Sequence, residues 1–140
     1  MIIDEGIKSV LNLKNIIVKK IEFDRDKRFI SSEQLTFKIG YNTKELEDKD
    51  DYEVALKVLI EDSEKQTFRL LIEIIGYFGF DSKEDVHLQN KEIIIQKNTL
   101  AILFPYLRSQ VTLITAQPGM EPIIIPPINI NSLIEKAKSE

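Results

Sequence analysis

The chain of 140 residues holds one histidine, His87, and no cysteine. Those two facts remove most catalytic chemistry. Without cysteine there is no thiol nucleophile, thiolate metal site or disulfide. His87 has no second histidine with which to build a metal site and no serine motif to activate, so it reads as an ordinary residue near a helix start. Carboxylates gather at Glu45, Glu47, Asp48, Asp50 and Asp51. A calcium loop needs a turn glycine and a bidentate glutamate at fixed spacing, and this run has neither, so it reads as a solvated loop. No glycine-rich phosphate cradle occurs. The chain is therefore expected to be a non-enzyme with no cofactor and no metal.

The chemistry that remains is apolar burial. Hydrophobic residues make up 43% and charged residues 30%, a globular balance rather than a disordered one. The formal net charge of -4 supplies no basic footprint for a phosphate backbone, which argues against nucleic acid as a partner. The N-terminus, Met1-Ile2-Ile3-Asp4-Glu5-Gly6, lacks the basic and apolar regions of a signal peptide. The most apolar long stretch, Thr99 to Ala116, contains Pro105, Arg108 and several polar residues, so no membrane span is read. A soluble, cytoplasmic protein is expected, with residues 1–140 forming one domain.

Ile7, Val10 and Leu11 fall at helical spacing and suggest a short N-terminal helix over residues 4–14. From Ile16 the period changes to two. Ile17, Ile21 and Phe23 alternate with Lys20, Glu22 and Asp24, a half-buried strand. In a second strand Leu35, Phe37, Ile39 and Tyr41 share one face. The third is the clearest, with Tyr52, Val54, Leu56, Val58 and Ile60 on one side and charge on the other. The fourth, from Gln66 to Phe80, places Phe68, Leu70, Ile72, Ile74 and Phe78 together. Its other face, with Leu71, Ile75 and Tyr77, is too apolar for a solvated surface.

Leu100, Leu103, Phe104, Leu107, Val111 and Ile114 then recur at spacings of three and four, an amphipathic helix. Pro105 inside it should kink the helix or begin a new segment. Gln117-Pro118-Gly119 stops it. Met120 to Ile130 is proline-rich and extended, and Asn131-Ser132 would cap a last short helix from Leu133 to Lys138. Strands first and helices after imply an α+β fold: a four-stranded antiparallel sheet, a long kinked helix, a proline-rich strip and a short C-terminal helix.

Two segments carry a family signal. Ala101-Ile102-Leu103-Phe104-Pro105-Tyr106-Leu107-Arg108, followed by Pro122-Ile123-Ile124-Ile125-Pro126-Pro127-Ile128-Asn129-Ile130, resembles the SecB chaperone family. Members carry an LFPYxR core in the long helix and a proline-flanked apolar strip after it. Tyr52-Glu53-Val54-Ala55-Leu56-Lys57-Val58 is similar to the family's third strand, and Glu73 with Gly79-Phe80 matches the end of its fourth.

The resemblance implies a holdase that binds unfolded polypeptides or preproteins through apolar grooves. It also implies a tetramer built as a dimer of dimers, with sheets joined edge to edge and long helices between dimers. Tyr77, Phe78, Phe80, Ile123, Ile125 and Ile128 are the expected client-binding residues. Leu103, Phe104, Leu107 and Val111 are the expected oligomer interface. Asp24, Leu71 and Glu73 match the family positions that dock the SecA translocation ATPase. Lys20 reverses a family acidic position, and Lys136-Ala137-Lys138-Ser139-Glu140 differs from the family's acidic tail. Both departures bear on the ATPase partnership more than on the chaperone activity. Alternatives to a general or export-linked holdase are a dedicated chaperone for the antitoxin of a toxin–antitoxin pair, and a SecB-fold interaction protein without chaperone activity.

Overall fold

The strict alternation from Tyr52 to Ile60 becomes a strand in the middle of a sheet. A computed structural model describes residues 11–29, 35–47, 50–62, 64–80 and 88–139. Strands β1 (Leu11–Arg25), β2 (Thr36–Glu45), β3 (Asp51–Glu61) and β4 (Phe68–Phe80) precede helices α1 (Leu88–Thr115) and α2 (Ile130–Ser139). The four strands form one antiparallel sheet in the order β1-β4-β3-β2, so β1 and β2 are its edges. The fold is α+β, with strands first and helices after.

Alternation gives the sheet an inner face. There Val54, Leu56, Val58 and Ile60 of β3 meet Leu70, Ile72, Ile74 and Phe78 of β4, all at 0% exposure. Each such aliphatic side chain contributes ~1.5–3 kcal/mol on burial. Helix α1 crosses this face and buries Leu100, Leu103, Leu107 and Val111, the i, i+3, i+4 stripe of the sequence. The approach is close at Gly76, where a Cβ would stand 2.6 Å from Leu103 Cδ2. A side chain at that point of β4 would have to displace the buried Leu103 and Phe78 side chains.

Three local expectations give way to specific physical causes. First, the helix expected over residues 4–14 lies outside the described residues as far as residue 10, and from Leu11 the chain is already strand. Second, β1 carries register shifts at Leu13/Asn15 and at Val18/Lys20. An extra residue turns the following side chains to the opposite face. Ile17 therefore pairs with Ile75 on the outer face, whereas Ile21 and Phe23 pair with Ile72 and Leu70 on the inner one. Third, of the two outcomes expected at Pro105 the new segment does not form, and α1 runs on through the proline. The proline ring is exposed, and so is Ala101, whose carbonyl would have accepted the missing bond, so water can satisfy it.

After α1, Gly119 takes the left-handed conformation at φ 75° and turns the chain back along the helix. Arg25 fastens this turn to the end of β1, donating to the Gly119 carbonyl at 3.0 Å and to the Phe29 carbonyl at 3.3 Å. The strip beyond it has no strand partner, and its backbone is satisfied by α1 side chains instead. The Ile123 amide donates to Thr115 Oγ1 at 2.8 Å, Thr112 Oγ1 donates to the Ile123 carbonyl at 2.9 Å, and Arg108 Nε donates to the Ile125 carbonyl at 2.9 Å. Helix α2 is capped by Asn129, not by Asn131-Ser132. The Ser132 amide donates to Asn129 Oδ1 at 3.2 Å, which starts the helix a turn earlier than expected.

Candidate functional site

Among the described residues, α1 and the strip cover the inner face in its middle. On the β2 side, Phe37, Ile39 and Tyr41 face inward, opposite Ile60, Val58 and Leu56 of β3. Across from them stand Ile128 at the end of the strip and Leu133 of α2, with Asn129, Ser132 and Lys136 completing the wall. The space between is an open groove of about 610 Å³. Phe37 is 43% exposed in it, while Ile39, Tyr41, Ile128 and Leu133 are half-buried. Partial burial holds the Tyr41 hydroxyl above its ordinary pKa.

Among the described residues, the groove runs beside an unpaired backbone. The Leu46 amide donates to the Asp51 carbonyl at 2.8 Å, in the register that the whole β2–β3 pairing keeps. In an antiparallel ladder, residues alternate between exchanging bonds with the neighbour and pointing away from it. Thr36, Lys38, Gly40, Asn42 and Lys44 therefore bond to β3. The amides and carbonyls of Phe37, Ile39, Tyr41 and Thr43 point off the open edge. The residues whose side chains floor the groove are thus the ones whose backbone is available beside it.

Of the expected client-binding residues, only Ile128 lines this groove. Phe78 and Phe80 lie in the core at 0% and 6% exposure, as do Ile123 at 5% and Ile125 at 2%. Those four are corrected to core residues. The prolines extend the strip, and extension alternates its side chains, so Ile123 and Ile125 plug inward while Ile124 stands 72% exposed. Tyr77 is on the outer face. Partial desolvation, and then a hydrogen bond with Glu53, raise its hydroxyl pKa.

The expected interface residues are corrected for the same reason. Leu103, Phe104, Leu107 and Val111 are the stripe that α1 buries on its own sheet. Its exposed apolar residues are Ile93, Tyr106 and Leu113, the last at 64%. Edge strand β1 adds Val18, Ile21 and Phe23, which face inward but lie beyond the cover of α1. On the outer face, Asp24, Leu71 and Glu73 do come together, Leu71 between Arg69 and Glu73 on β4 and Asp24 beside Arg69. Glu73 and the neighbouring Glu22 are paired with cations. Lys19 Nζ stands 3.4 Å from Glu73 Oε1, and Glu22 binds Arg69 at 2.7 Å and Lys20 at 3.0 Å. The Arg69 and Lys20 contacts hold the Glu22 carboxyl below its ordinary pKa. His87 lies outside the described residues. Among the described residues no group of three or more potential ligands could hold a metal, and no helix is long and apolar enough to cross a membrane.

The family model described as preprotein translocase subunit SecB matches residues 5–140. The chain belongs to the SecB family. Relatives include an uncharacterized protein of Methanocaldococcus jannaschii, 32% identical over 95% of this chain and 90% of that protein. The protein-export protein SecB of Anaplasma phagocytophilum is 28% identical over 64% of this chain and 58% of its own length. The fold also matches a Mycobacterium tuberculosis SecB-like chaperone solved with a ChAD peptide from the HigA1 antitoxin. That match has a TM-score of 0.63 at 13% identity and covers 89% of this chain and 95% of the other. The β2 groove escaped the sequence reading of this SecB-family chain. Its signal was the shared face of Phe37, Ile39 and Tyr41, but nothing in the sequence says that β2 is an edge.

Proposed function

We propose that this SecB-family chaperone is a holdase that takes extended, unfolded segments into the groove between β2 and α2. One observation carries the reading: an apolar groove floored by Phe37, Ile39 and Tyr41 runs beside their own unpaired amides and carbonyls. Such a site offers apolar burial and backbone hydrogen bonds together, and neither reads a particular sequence. Client release needs no chemistry, so the protein works without enzymatic activity, and it works in the cytoplasm, where preproteins are still unfolded.

The assembled form is an oligomer, a tetramer made as a dimer of dimers. What supports it is the apolar surface left on α1 and on the inner side of β1, since an uncovered edge strand is a template for pairing. Docking of the SecA ATPase on Asp24, Leu71 and Glu73 is the export-linked form of this reading. The ion pairs at Glu73 and Glu22 would have to open for it.

A second reading, the dedicated guardian of one antitoxin, is favoured by the likeness in fold to the antitoxin-bound chaperone. It uses the same groove. A toxin and antitoxin encoded beside the gene would select it.

The test is suppression of aggregation of an unfolded model client by wild type and by Phe37→Asp with Leu133→Asp. Two lost apolar contacts at ~1–2 kcal/mol each weaken client affinity by about ten- to a thousandfold. Melting temperature should stay near wild type, because Phe37 is exposed and Leu133 half-buried. Undiminished holding by the double variant would refute the groove.

A further inference from the structure

The groove has a charged side. Strand β2 alternates, so its even-numbered residues from Thr36 to Lys44 stand on the outer face of the same edge. They include Lys38 and Lys44, both exposed. Gly40 falls between them, opposite Lys57 of β3. A Cβ at Gly40 would lie 3.9 Å from Lys57 Cε, so the Lys57 stem lies against the bare backbone of β2. Three ammonium groups are thereby gathered along one open strand edge.

These lysines differ from the cations along β1 and β4, Arg25 apart, which donates to backbone carbonyls. Lys14, Lys19, Lys20 and Arg69 are all in ion pairs, with Asp51, Glu73 and Glu22. Lys38, Lys44 and Lys57 make none among the described residues. The carboxylates nearest to them are already engaged: Glu53, opposite Lys44, bonds the Tyr77 hydroxyl, Glu73 of β4, opposite Lys57, pairs with Lys19, Asp51 pairs with Lys14, and Glu61 sits at the far end opposite Thr36.

We infer that the β2 edge selects client segments in which apolar residues alternate with acidic ones. The inference rests on the groove reading and names the clients the groove prefers. A strand added to β2 places every second side chain in the groove, against Phe37, Ile39 and Tyr41. Its intervening side chains lie on the outer face beside Lys38, Lys57 and Lys44, at about 5 Å between Cβ atoms for opposed pairs. Carboxylates there meet unpaired ammonium groups, and cations there meet like charge. Uniformly apolar segments would fill the groove and gain nothing on the outer side.

The experiment uses three synthetic nine-residue peptides in which leucine alternates with glutamate, serine or lysine. Binding is read by fluorescence anisotropy at low and high salt. The glutamate peptide should bind about tenfold more tightly than the lysine peptide at low salt, the sum expected of two or three exposed ion pairs. The serine peptide should fall between, and added salt should collapse the spread. Lys38→Glu with Lys57→Glu should invert the order at unchanged melting temperature. Equal affinities on wild type, or tightest binding of the lysine peptide, would overturn the inference and leave the groove standing. If none of the three binds wild type, the groove reading itself fails.

Discussion

Arg108 Nε donates to the Ile125 carbonyl oxygen at 2.9 Å. Arg108 closes the LFPYxR segment of α1, and Ile125 is the centre of the proline-flanked strip. The two segments that mark the family in sequence are therefore bonded to each other in space. With Thr112 and Thr115 on Ile123, the strip is stitched to α1 and its isoleucines are pressed into the core. The strip acts as a seal up to Ile125, and only from Ile128 onward does it become a groove wall.

Changing Ile123 and Ile125 to serine should therefore damage the fold. Each substitution leaves a cavity and a buried hydroxyl, at ~2–5 kcal/mol for loss of a buried aliphatic side chain. Thermal unfolding should show a large drop, while client holding per folded molecule stays normal. An unchanged melting temperature with lost holding would return these residues to the groove.

The turn between β3 and β4 should make stability sensitive to acid. Asp62 accepts the Lys65 amide at 3.2 Å and the Thr67 hydroxyl at 3.0 Å, and the Lys65 bond is the leading cause of its lowered pKa. A carboxyl whose folded pKa is depressed stabilises the protein above its unfolded value, and that contribution is lost as pH falls through the folded one. Asp62→Asn should thus melt a few degrees below wild type at neutral pH. The gap should close only as pH drops below 3.8, the ordinary value for aspartate. A gap that stays constant into acid would show that the charge of Asp62 is not what holds the turn.

Oligomerisation should depend on residues that the helical stripe does not contain. Glutamate at Tyr106 and Leu113, or lysine at Val18 and Ile21, adds charge to exposed apolar positions and should leave the subunit folded. Light scattering should show a smaller species for each pair. If the wild-type protein itself scatters as a 16.2 kDa monomer at micromolar concentration, the assembly is refuted.

The order of elements was legible because each has a strong period of its own, two in Tyr52–Ile60 and three to four in Leu100–Ile114. What each apolar face covers was not legible. Leu103 and Leu107 look the same in sequence whether a helix packs on its own sheet or on a sister subunit. Ile123 and Ile125 were misassigned because an extended strip has two sides, and only the Arg108 and Thr115 bonds decide which one faces inward. The face of Ile17 was lost to a bulge near Val18, which follows from register with β4 and leaves no mark in β1 itself. Conversely, Phe37, Ile39 and Tyr41 were read correctly as one face. Their use depended on strand order, since the same alternation in a central strand would be core.

The central claim is that clients join the free edge of β2 above the groove, and amide hydrogen exchange followed by NMR tests it residue by residue. Phe37, Ile39, Tyr41 and Thr43 have amides aimed off the sheet, so they should exchange quickly in the free protein. Saturating unfolded client should slow them markedly, while the amides of Lys38, Gly40 and Asn42, already bonded to β3, change little. Protection that appears instead along β1, or an edge of β2 that exchanges equally fast with and without client, would contradict the account.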